Sequence, residues 1–547
     1  MRIRGFIGGL AISLVAMSPS TTASDTDTIQ AGEDLAVVAT ASGSVRGYIS
    51  SDIFTFKGIR YARAERFLPP EPPEPWDETP FMGYYGATCP FDAWAIAARG
   101  NGVGMFALQN DWGYPSEDCL SLNVWTSSID DDIKRPVMVW IHGGGWDFGS
   151  SHELPFYDGE NLARNHDVVL VSVNHRLNIL GFLDLSAHGE KYQHSGNVGL
   201  LDLVAALEWV RNNVAQFGGD PDNVTLFGQS GGGSKITALL NSPFAKDLFH
   251  RAVVQSGSFA TEYRDKAVAQ RVGTRVLKEL GINPDEADAI QDVSYPDLLE
   301  AGKVALAGVA EELAAENRQT GGFGRIGWGP VTDPDVLPHG VFSAGSIPYS
   351  LDKPIMIGST KHEFSLFAGS QVGDDMDAAR AAVERIYGEQ TDEYMEAMQT
   401  AYPETVKASD YLDIDLGFRR GVVRDATALA EGGHENVYVY LFAWESPVND
   451  GGLKSMHCME LPFVFDNIEH GKEITGGSKD ARVLAETVSG AWTNFARHGN
   501  PAADGLPTWP AYTVEGGETM IINDVSRVGR HHDAALLKLA RAPNFGG

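Results

Sequence analysis

Cysteine is scarce in this chain, and so are basic residues and long hydrophobic runs. Three of the 547 residues are cysteine, and no spacing of cysteine and histidine resembles a zinc site. Lysine and arginine number 42 against 73 aspartate and glutamate, which gives a formal net charge of −31. Nucleic acids are bound by clustered positive charge, so no nucleic-acid partner is expected. The acidic excess also argues against binding to an anionic membrane surface.

The remaining composition is that of a globular protein. Hydrophobic residues make up 43% and charged residues 21%, a balance that excludes a disordered chain. Beyond the N-terminal segment no apolar run reaches about 18 residues, so no stable membrane insertion is expected. No internal repeat and no flexible linker divides the sequence. One large domain over residues 25–547 is therefore preferred to three smaller ones.

The N-terminus has the pattern of an export signal. Arg2 and Arg4 precede an apolar run over residues 5–17, and small residues follow over 18–24. The run is too short to span a bilayer, which takes about 20 residues. We interpret residues 1–24 as a cleaved secretory signal peptide, with an uncleaved anchor as the alternative. A secreted or periplasmic location follows from this interpretation.

Export predicts an oxidising compartment, in which a pair of cysteines forms a disulfide. Cys89 and Cys119 lie 30 residues apart, and a bridge between them would be worth about 3–4 kcal/mol by loop entropy. Cys458 is left over beside a histidine. A thiol nucleophile there is a weaker hypothesis, because a better nucleophile is present.

Short apolar runs alternate with amphipathic stretches along the chain. Strand-helix-strand alternation of this kind indicates an α/β fold, with a central, mostly parallel sheet covered by helices on both faces. The stretch from Gly199 to Phe217 has apolar residues at spacings of three and four, as a helix requires. Residues 260–350 are interpreted as a largely helical insertion. The predicted strands are 137–141, 168–173, 224–227, 252–255, 355–357 and 437–442.

A candidate nucleophile follows one of these strands. Gly228-Gln229-Ser230-Gly231-Gly232 comes directly after residues 224–227 and before a helical stretch. This is G-x-S-x-G in a strand-turn-helix context, where the sharp turn raises the serine hydroxyl out of the sheet. A phosphate-binding loop would need a Gly-Lys-Ser/Thr ending, which Gly233-Ser234-Lys235 does not supply. Ser230 is therefore predicted to be a nucleophile.

Candidate donors for a developing negative charge follow another strand. His142-Gly143-Gly144-Gly145 comes directly after residues 137–141. Acyl transfer builds an oxyanion, and losing one backbone N–H donor to it costs about 2.7–4 kcal/mol. A Gly-rich loop of this type and the residue after the serine form such a hole. The predicted donors are the N–H groups of Gly144, Gly145 and Gly231.

Several long motifs, in the same order, resemble the type-B carboxylesterases, the family of cholinesterases, liver carboxylesterases and bacterial para-nitrobenzyl esterases. The resemblance runs from about Gly43 to Tyr512 and implies the α/β-hydrolase fold. It also implies hydrolysis of a small-molecule carboxylic ester through a covalent acyl-enzyme. No metal or organic cofactor is implied. The motifs are Phe56 to Ala62, Glu117 to Trp125, Asn174 to Leu177, Gly181 to Leu183, Gly196 to Asp202, Phe217 to Pro221 and Trp509 to Tyr512.

The resemblance supplies the other members of a catalytic triad. The family's acid is a glutamate after a central strand, which here corresponds to Glu363, with Asp333 as the structural alternative. The family's histidine precedes a Glu-Leu-Pro-Phe-Val-Phe-like run, which here corresponds to His457. The family disulfide corresponds to Cys89 and Cys119.

Two residues depart from the family pattern. The family commonly has Glu before the serine and Ala after it, whereas this chain has Gln229 and Gly231. The loss of a negative charge at Gln229 weakens the case for cationic choline esters. Gly231 is expected to leave the oxyanion hole intact with a slightly looser turn. Trp112 has no clear match to the choline-binding tryptophan of cholinesterases.

Two other functions remain as alternatives on the same fold. A non-catalytic relative would act as a binding or adhesion protein, although such relatives typically lose a triad member. A lipase would act at lipid interfaces, and the sequence contains no identifiable lid. The acyl specificity, the natural ester and the oligomeric state are left open by the sequence.

Overall fold

The computed structural model describes most of the chain. The described residues are 28–92, 110–259, 262–318, 326–338, 340–342, 349–364, 372–405 and 407–540. The predicted signal peptide lies outside these ranges, so the division into a leader over 1–24 and a domain over 25–547 stays a prediction. Within the described residues, no helix is both long and apolar enough to cross a membrane.

In the described part of the molecule, twelve strands form one sheet, and two further strands, β2 and β3, pair with each other. Its strand order is β1-β4-β5-β6-β8-β7-β9-β10-β11-β12-β13-β14. The stretch from β8 to β13 is parallel, and the strands outside it pair antiparallel. The strands are β1 Ile29–Gln30, β2 Val37–Thr40, β3 Gly43–Arg46, β4 Tyr48–Ser50, β5 Ile53–Arg60, β6 Ser121–Thr126, β7 Arg135–Ile141, β8 Val169–Val173, β9 Gly219–Gln229, β10 Arg251–Gln255, β11 Ile355–Thr360, β12 Val437–Phe442, β13 Glu518–Ile522 and β14 Arg527–Arg530.

The predicted α/β architecture is confirmed, and all six predicted strands are present. Along β7, Val137 and Val139 belong to one hydrophobic core, whereas Met138 and Trp140 belong to a second. Successive strand residues point to opposite faces, so the two cores lie on opposite sides of the sheet. Burial on both faces explains why the parallel strands are continuous apolar runs in the sequence.

Helices cover both faces of the sheet. The helix predicted over 199–217 is α3 with a 3₁₀ turn at its end. The predicted helical insertion contains α5 and α6, whereas residues 326–338 are not helical. The α-helices are α1 Glu160–His166, α2 Asn178–Phe182, α3 Val198–Asn213, α4 Gly231–Leu240, α5 Lys266–Glu279, α6 Tyr295–Ala315, α7 Met376–Tyr387, α8 Thr391–Ala401, α9 Asp410–Asp413, α10 Gly417–Glu431, α11 Leu461–Val464, α12 Lys472–Thr475, α13 Lys479–His498 and α14 Ala534–Leu539.

The predicted disulfide is present between Cys89 and Cys119, with the sulfur atoms 2.02 Å apart. Trp112 lies in the chain segment that the bridge closes, and its ring packs against Phe91 at 5.2 Å between centroids. The bridge therefore ties a segment bearing aromatic side chains to the strand that begins at Ser121. Cys458 takes no part in the bridge.

Candidate active site

Ser230 occupies the sharp turn between β9 and α4. Its backbone has φ 56° and ψ −122°, a conformation that costs a non-glycine residue about 1–3 kcal/mol. The N–H group of Ser230 donates to the carbonyl oxygen of Gln255 at the end of β10, 2.7 Å away. The turn is thus held from the neighbouring strand. Ser230 stands at the carboxyl edge of the parallel strands, where α/β sheets place their ligands.

The Gly-rich loop after β7 lies beside this turn. Gly144 and Gly145 have φ values of 80° and 63°, and a Cβ on Gly144 would collide with the carbonyl group of Phe148. Glycine at position 144 is therefore required twice, by conformation and by space. Within the described residues, the N–H groups of Gly144, Gly145 and Gly231 donate to no protein acceptor. These three predicted donors are close together and available.

Gly231 packs directly against this loop, which corrects the expectation of a looser turn. A Cβ built on Gly231 would lie 2.5 Å from both N and Cα of Gly145, and closer still to its carbonyl oxygen. The space that a Cβ would need is filled by the backbone of the Gly-rich loop over residues 143–145, which we call the oxyanion loop. The absence of a side chain on Gly231 thus permits a close approach of backbone to backbone.

His457 and Glu363 are joined by a hydrogen bond. His457 follows β12 and Glu363 follows β11, and His457 Nδ1 contacts Glu363 Oε2. The N–H group of His457 also donates to the carbonyl oxygen of Glu363 at 3.0 Å, so the two loops are held together by backbone. Both side chains are buried. The predicted pair is thus brought together from two adjacent parallel strands.

The second carboxylate oxygen of Glu363 is held by donors that the sequence analysis missed. Glu363 Oε1 accepts from the hydroxyl of Ser256 at 2.7 Å and from the N–H group of Thr360 at 2.9 Å. Because both oxygens are engaged, the orientation of the carboxylate toward the imidazole is fixed. Ser256 could have been proposed as a site residue from the sequence, because it directly follows β10 and so lies at the carboxyl edge of a predicted strand.

Ser230 and His457 line the same cavity, but their side chains are not hydrogen-bonded to each other. Among the described residues the Ser230 hydroxyl has no partner. The side-chain amide of Gln229 instead lies 3.1 Å from His457 Nε2, and its oxygen accepts from the thiol of Cys458 at 2.9 Å. Catalytic hydrogen bonds are often long or absent in unliganded structures and form on substrate binding.

The cavity above Ser230 has a volume of about 350 Å³ and mostly apolar walls, to which aromatic rings contribute. The ring of Phe364 lies 4.2 Å from that of His457 between centroids, and Phe418 lies 5.6 Å away. The aromatic residues that line it are Trp112, Phe148, Tyr157, Phe259, Phe364 and Phe418. Apolar walls with polar groups gathered at one point favour a largely uncharged ligand with one reacting polar group.

Two carboxyl groups also line the cavity. Burial raises the pKa of Glu153 to about 7, while the N–H group of Ser150, 2.8 Å from Glu153 Oε2, opposes the shift. Asp147 lies on the loop between Gly145 and Phe148 and is exposed. Near neutral pH, Glu153 is thus partly protonated, which reduces the negative charge inside the cavity.

Neither the alternative triad acid, Asp333, nor the free thiol of Cys458 is suited to catalysis. Asp333 forms an ion pair with Lys266 at 2.8 Å and does not line the cavity. His194, Asp333 and Asp335 bring ligand atoms within 4.8 Å of one another, but the lysine already neutralises the central carboxylate. Burial raises the pKa of the Cys458 thiol well above its usual value, which disfavours a thiolate nucleophile.

Comparisons with known proteins agree on one family. The model of the carboxylesterase family matches residues 34–538. The chain is 35% identical over 494 residues to the para-nitrobenzyl esterase of Bacillus subtilis (strain 168), covering 89% of this chain and 94% of that protein. It is 32% identical over 514 residues to the phenmedipham hydrolase of Pseudarthrobacter oxydans, covering 89% and 95% of the two chains. A solved esterase from Clostridium hathewayi that can hydrolyse aliphatic aromatic polyesters has a TM-score of 0.81 and 37% identity, covering 94% of this chain and 99% of its own.

Proposed function

The chain belongs to the carboxylesterase family and is a carboxylic-ester hydrolase, and on that premise we propose that it is an exported serine esterase acting through an acyl-enzyme. Ser230 is the nucleophile, His457 the general base and Glu363 the residue that orients the histidine. The observation that carries this proposal is the cavity that Ser230, at its strained turn, lines together with His457, which is hydrogen-bonded to Glu363.

In the first half-reaction, the Ser230 oxygen bonds to the ester carbonyl carbon while its proton passes to His457 Nε2. This transfer requires the Gln229 amide, which lies 3.1 Å from Nε2, to give up that contact to the serine hydroxyl. The imidazolium that forms is stabilised by the carboxylate of Glu363. When the intermediate collapses, the bond to the alcohol oxygen breaks and His457 returns the proton to that oxygen. The alcohol leaves, and the acyl group stays on Ser230.

In the second half-reaction, water takes the place of the alcohol. His457 accepts a proton from the water as its oxygen bonds to the acyl carbon. Collapse of this second intermediate breaks the bond to Ser230, which recovers its proton, and the carboxylic acid leaves. In both steps the negative charge on the carbonyl oxygen is stabilised by the N–H groups of Gly144, Gly145 and Gly231.

The substrates best matched to this cavity are neutral esters with apolar acyl or aryl groups. A volume of about 350 Å³ is at the small end of ligand pockets, so short and medium acyl chains are favoured over long ones. The aromatic side chains beside His457 offer stacking surfaces for an aryl group. The similarity to a para-nitrobenzyl esterase supports the same class of substrate.

Export is supported by the disulfide as well as by the N-terminal pattern. Bridges such as Cys89–Cys119 persist in oxidising compartments and are rare in the cytosol. Residues 1–24 act as a cleaved leader, and the enzyme works in the periplasm or outside the cell.

Hydrolysis of para-nitrophenyl esters from acetate to palmitate, by wild type and by Ser230→Ala, tests the proposal. We expect activity in the wild type, greatest for short chains, and its loss in the variant. Ser234→Ala is the matched control, because Ser234 is buried on the same helix but donates to the carbonyl oxygen of Gly257 at 2.9 Å. A serine-directed organophosphate should add mass to the wild type and to the control, but not to Ser230→Ala.

Three results would count against it. Equal activity in the wild type and in Ser230→Ala would disprove the serine mechanism. Inactivity of both proteins, without organophosphate labelling, would favour the non-catalytic binding alternative. A sharp rise in rate when long-chain esters form droplets would favour the lipase alternative.

A further inference from the structure

A lysine is completely buried beneath the oxyanion loop. Lys235 lies on α4, five residues after Ser230, and its side chain has no exposed surface. Its Nζ donates to the carbonyl oxygen of His142 at 3.0 Å and to that of Gly143 at 3.3 Å. The carboxylates whose fields reach it are those of Glu153 and Asp147. Its hydrogen-bond partners are thus the backbone of the segment that leads into Gly144 and Gly145.

Burial of an amine in such a place is costly. Moving an ammonium group out of water without a paired anion carries a large desolvation penalty, whereas an apolar side chain of similar length would carry none. Desolvation lowers the pKa of Lys235 to about 7, and the fields of Glu153 and Asp147 oppose that shift. An amine buried at this cost, in contact with the loop beside Ser230, calls for a role beyond packing.

Two carboxylates, two carbonyl oxygens and the ring of Trp146 favour the charged form of Lys235, and the neighbouring imidazoles add no charge. The rings of His142 and His175 are stacked 5.0 Å apart, and burial lowers the pKa of both well below the usual range, so both are neutral. His142 Nδ1 lies 3.0 Å from the Gly143 carbonyl oxygen, which therefore accepts two hydrogen bonds. The ring of Trp146 lies 6.0 Å from Nζ.

The chemistry of the peptide group connects this contact to catalysis. The carbonyl oxygen of Gly143 and the N–H group of Gly144 belong to one peptide unit. A hydrogen-bond donor at the oxygen draws electron density from the nitrogen, so the N–H group becomes a stronger donor, as in cooperative hydrogen-bond chains. The donor so strengthened is one of those assigned above to the oxyanion.

We propose that Lys235 is a positioning residue of the esterase, whose buried amino group fixes the oxyanion loop by donating to the His142 and Gly143 carbonyl oxygens and strengthens the Gly144 N–H group as an oxyanion donor. This inference rests on the proposed serine mechanism. It predicts that Lys235 contributes to the transition state and little to the binding of the ground-state ester.

Two substitutions separate charge from packing. Lys235→Met removes the charge and both hydrogen bonds at similar length, and Lys235→Gln keeps a polar donor without charge. The measurements are kcat and KM for para-nitrophenyl butyrate and the inhibition constants of two matched ketones. A trifluoromethyl ketone bonds to the serine oxygen and places a negatively charged oxygen in the hole, whereas the methyl ketone of the same shape binds without forming that bond.

In Lys235→Met we expect kcat to fall by about 10- to 100-fold, while KM stays within about twofold of wild type. This fall is smaller than the loss of about 100- to 1,000-fold that follows removal of one whole oxyanion donor, because the Gly144 N–H group is weakened and not removed. The inhibition constant of the trifluoromethyl ketone should rise by the same factor as kcat falls, and that of the methyl ketone should not change. Lys235→Gln should show a smaller fall of the same kind. Thr237→Val, a buried substitution on the same helix, is the control and should keep wild-type kcat and both inhibition constants.

Thermal melting shows whether each variant is folded. If Lys235→Met does not fold, the kinetics of Lys235→Gln test the inference. A folded variant with kcat and trifluoromethyl ketone affinity within twofold of wild type would overturn the inference. So would a variant in which KM rises while kcat is unchanged. Ser230→Ala separates the two proposals, because its inactivity beside normal lysine variants would refute the role of Lys235 alone. Activity in Ser230→Ala would refute the serine mechanism itself.

Discussion

Replacement of Gly231 by alanine tests how closely the oxyanion loop approaches the nucleophile turn. The new Cβ would lie 2.5 Å from N and Cα of Gly145, whereas carbon atoms in contact are about 3.5 Å apart. The loop or the helix must therefore move by about 1 Å. Both obstacles are backbone atoms, and Gly231 itself begins α4, so no side-chain rotation can relieve the overlap.

The expected loss follows from that displacement. A shift of about 1 Å in a catalytic group costs about 100-fold in rate, and complete loss of one oxyanion donor costs about 100- to 1,000-fold, or about 2.7–4 kcal/mol. We expect Gly231→Ala to lower kcat for para-nitrophenyl butyrate within that range. Overpacking should also lower the free energy of unfolding by about 1–3 kcal/mol.

The matched control is Gly490→Ala, at a helical glycine where the new Cβ would have its nearest neighbour at 3.9 Å. Its kcat should equal that of the wild type, and its unfolding free energy should rise by up to about 1 kcal/mol, because alanine favours a helix over glycine. Steady-state kinetics and urea denaturation measure both quantities. A Gly231→Ala enzyme that keeps kcat within threefold of wild type would refute the proposed contact between turn and loop.

Two further predictions concern carboxyl groups. Glu363→Gln should lower kcat by about 1,000- to 10,000-fold, as loss of the orienting acid does in other triads. The control Asp333→Asn breaks only the ion pair with Lys266 and should leave kcat near wild type. The reverse result would assign the triad acid to Asp333. Burial raises the pKa of Glu460 to about 8, so the folded state keeps a proton that the unfolded chain has released. Between about pH 5 and about pH 8, the wild-type unfolding free energy should therefore fall relative to Glu460→Gln by up to about 1.4 kcal/mol per pH unit; parallel denaturation curves across that range would contradict it.

The sheet was predictable because its parallel strands are buried on both faces and read as unbroken apolar runs. In the structure β9 begins at Gly219, well before the predicted start at Val224. The prediction missed this part of the strand because the polar residues between the two positions carry no strand signal. The short strands near the N-terminus were missed for a similar reason. They are exposed or half-buried, and their sequences show no clear alternation.

In the candidate site, predictability depended on whether the chemistry imposes a local pattern. The turn at Ser230 requires neighbouring glycines, so its position could be located from the sequence. Lys235 could not, since a lysine within a helical stretch is normally assigned to the solvent side. Its burial depends on a loop that lies 92 residues away along the chain at Gly143. Likewise, the close packing of Gly231 on Gly145 is a tertiary contact without a local signal.

The sheet order has a consequence for how the enzyme folds. The nucleophile turn, Glu363 and His457 follow β9, β11 and β12, and 228 residues separate Gln229 from the histidine that it contacts. Contacts between residues so far apart in sequence are slow to form, because the entropy of closing a long loop is lost before the contacts are gained. A fragment that ends before β12 lacks His457 and therefore cannot hold the complete site. On the proposed mechanism, a chain emerging from synthesis therefore lacks the complete site until β9 and β12 have joined the same sheet.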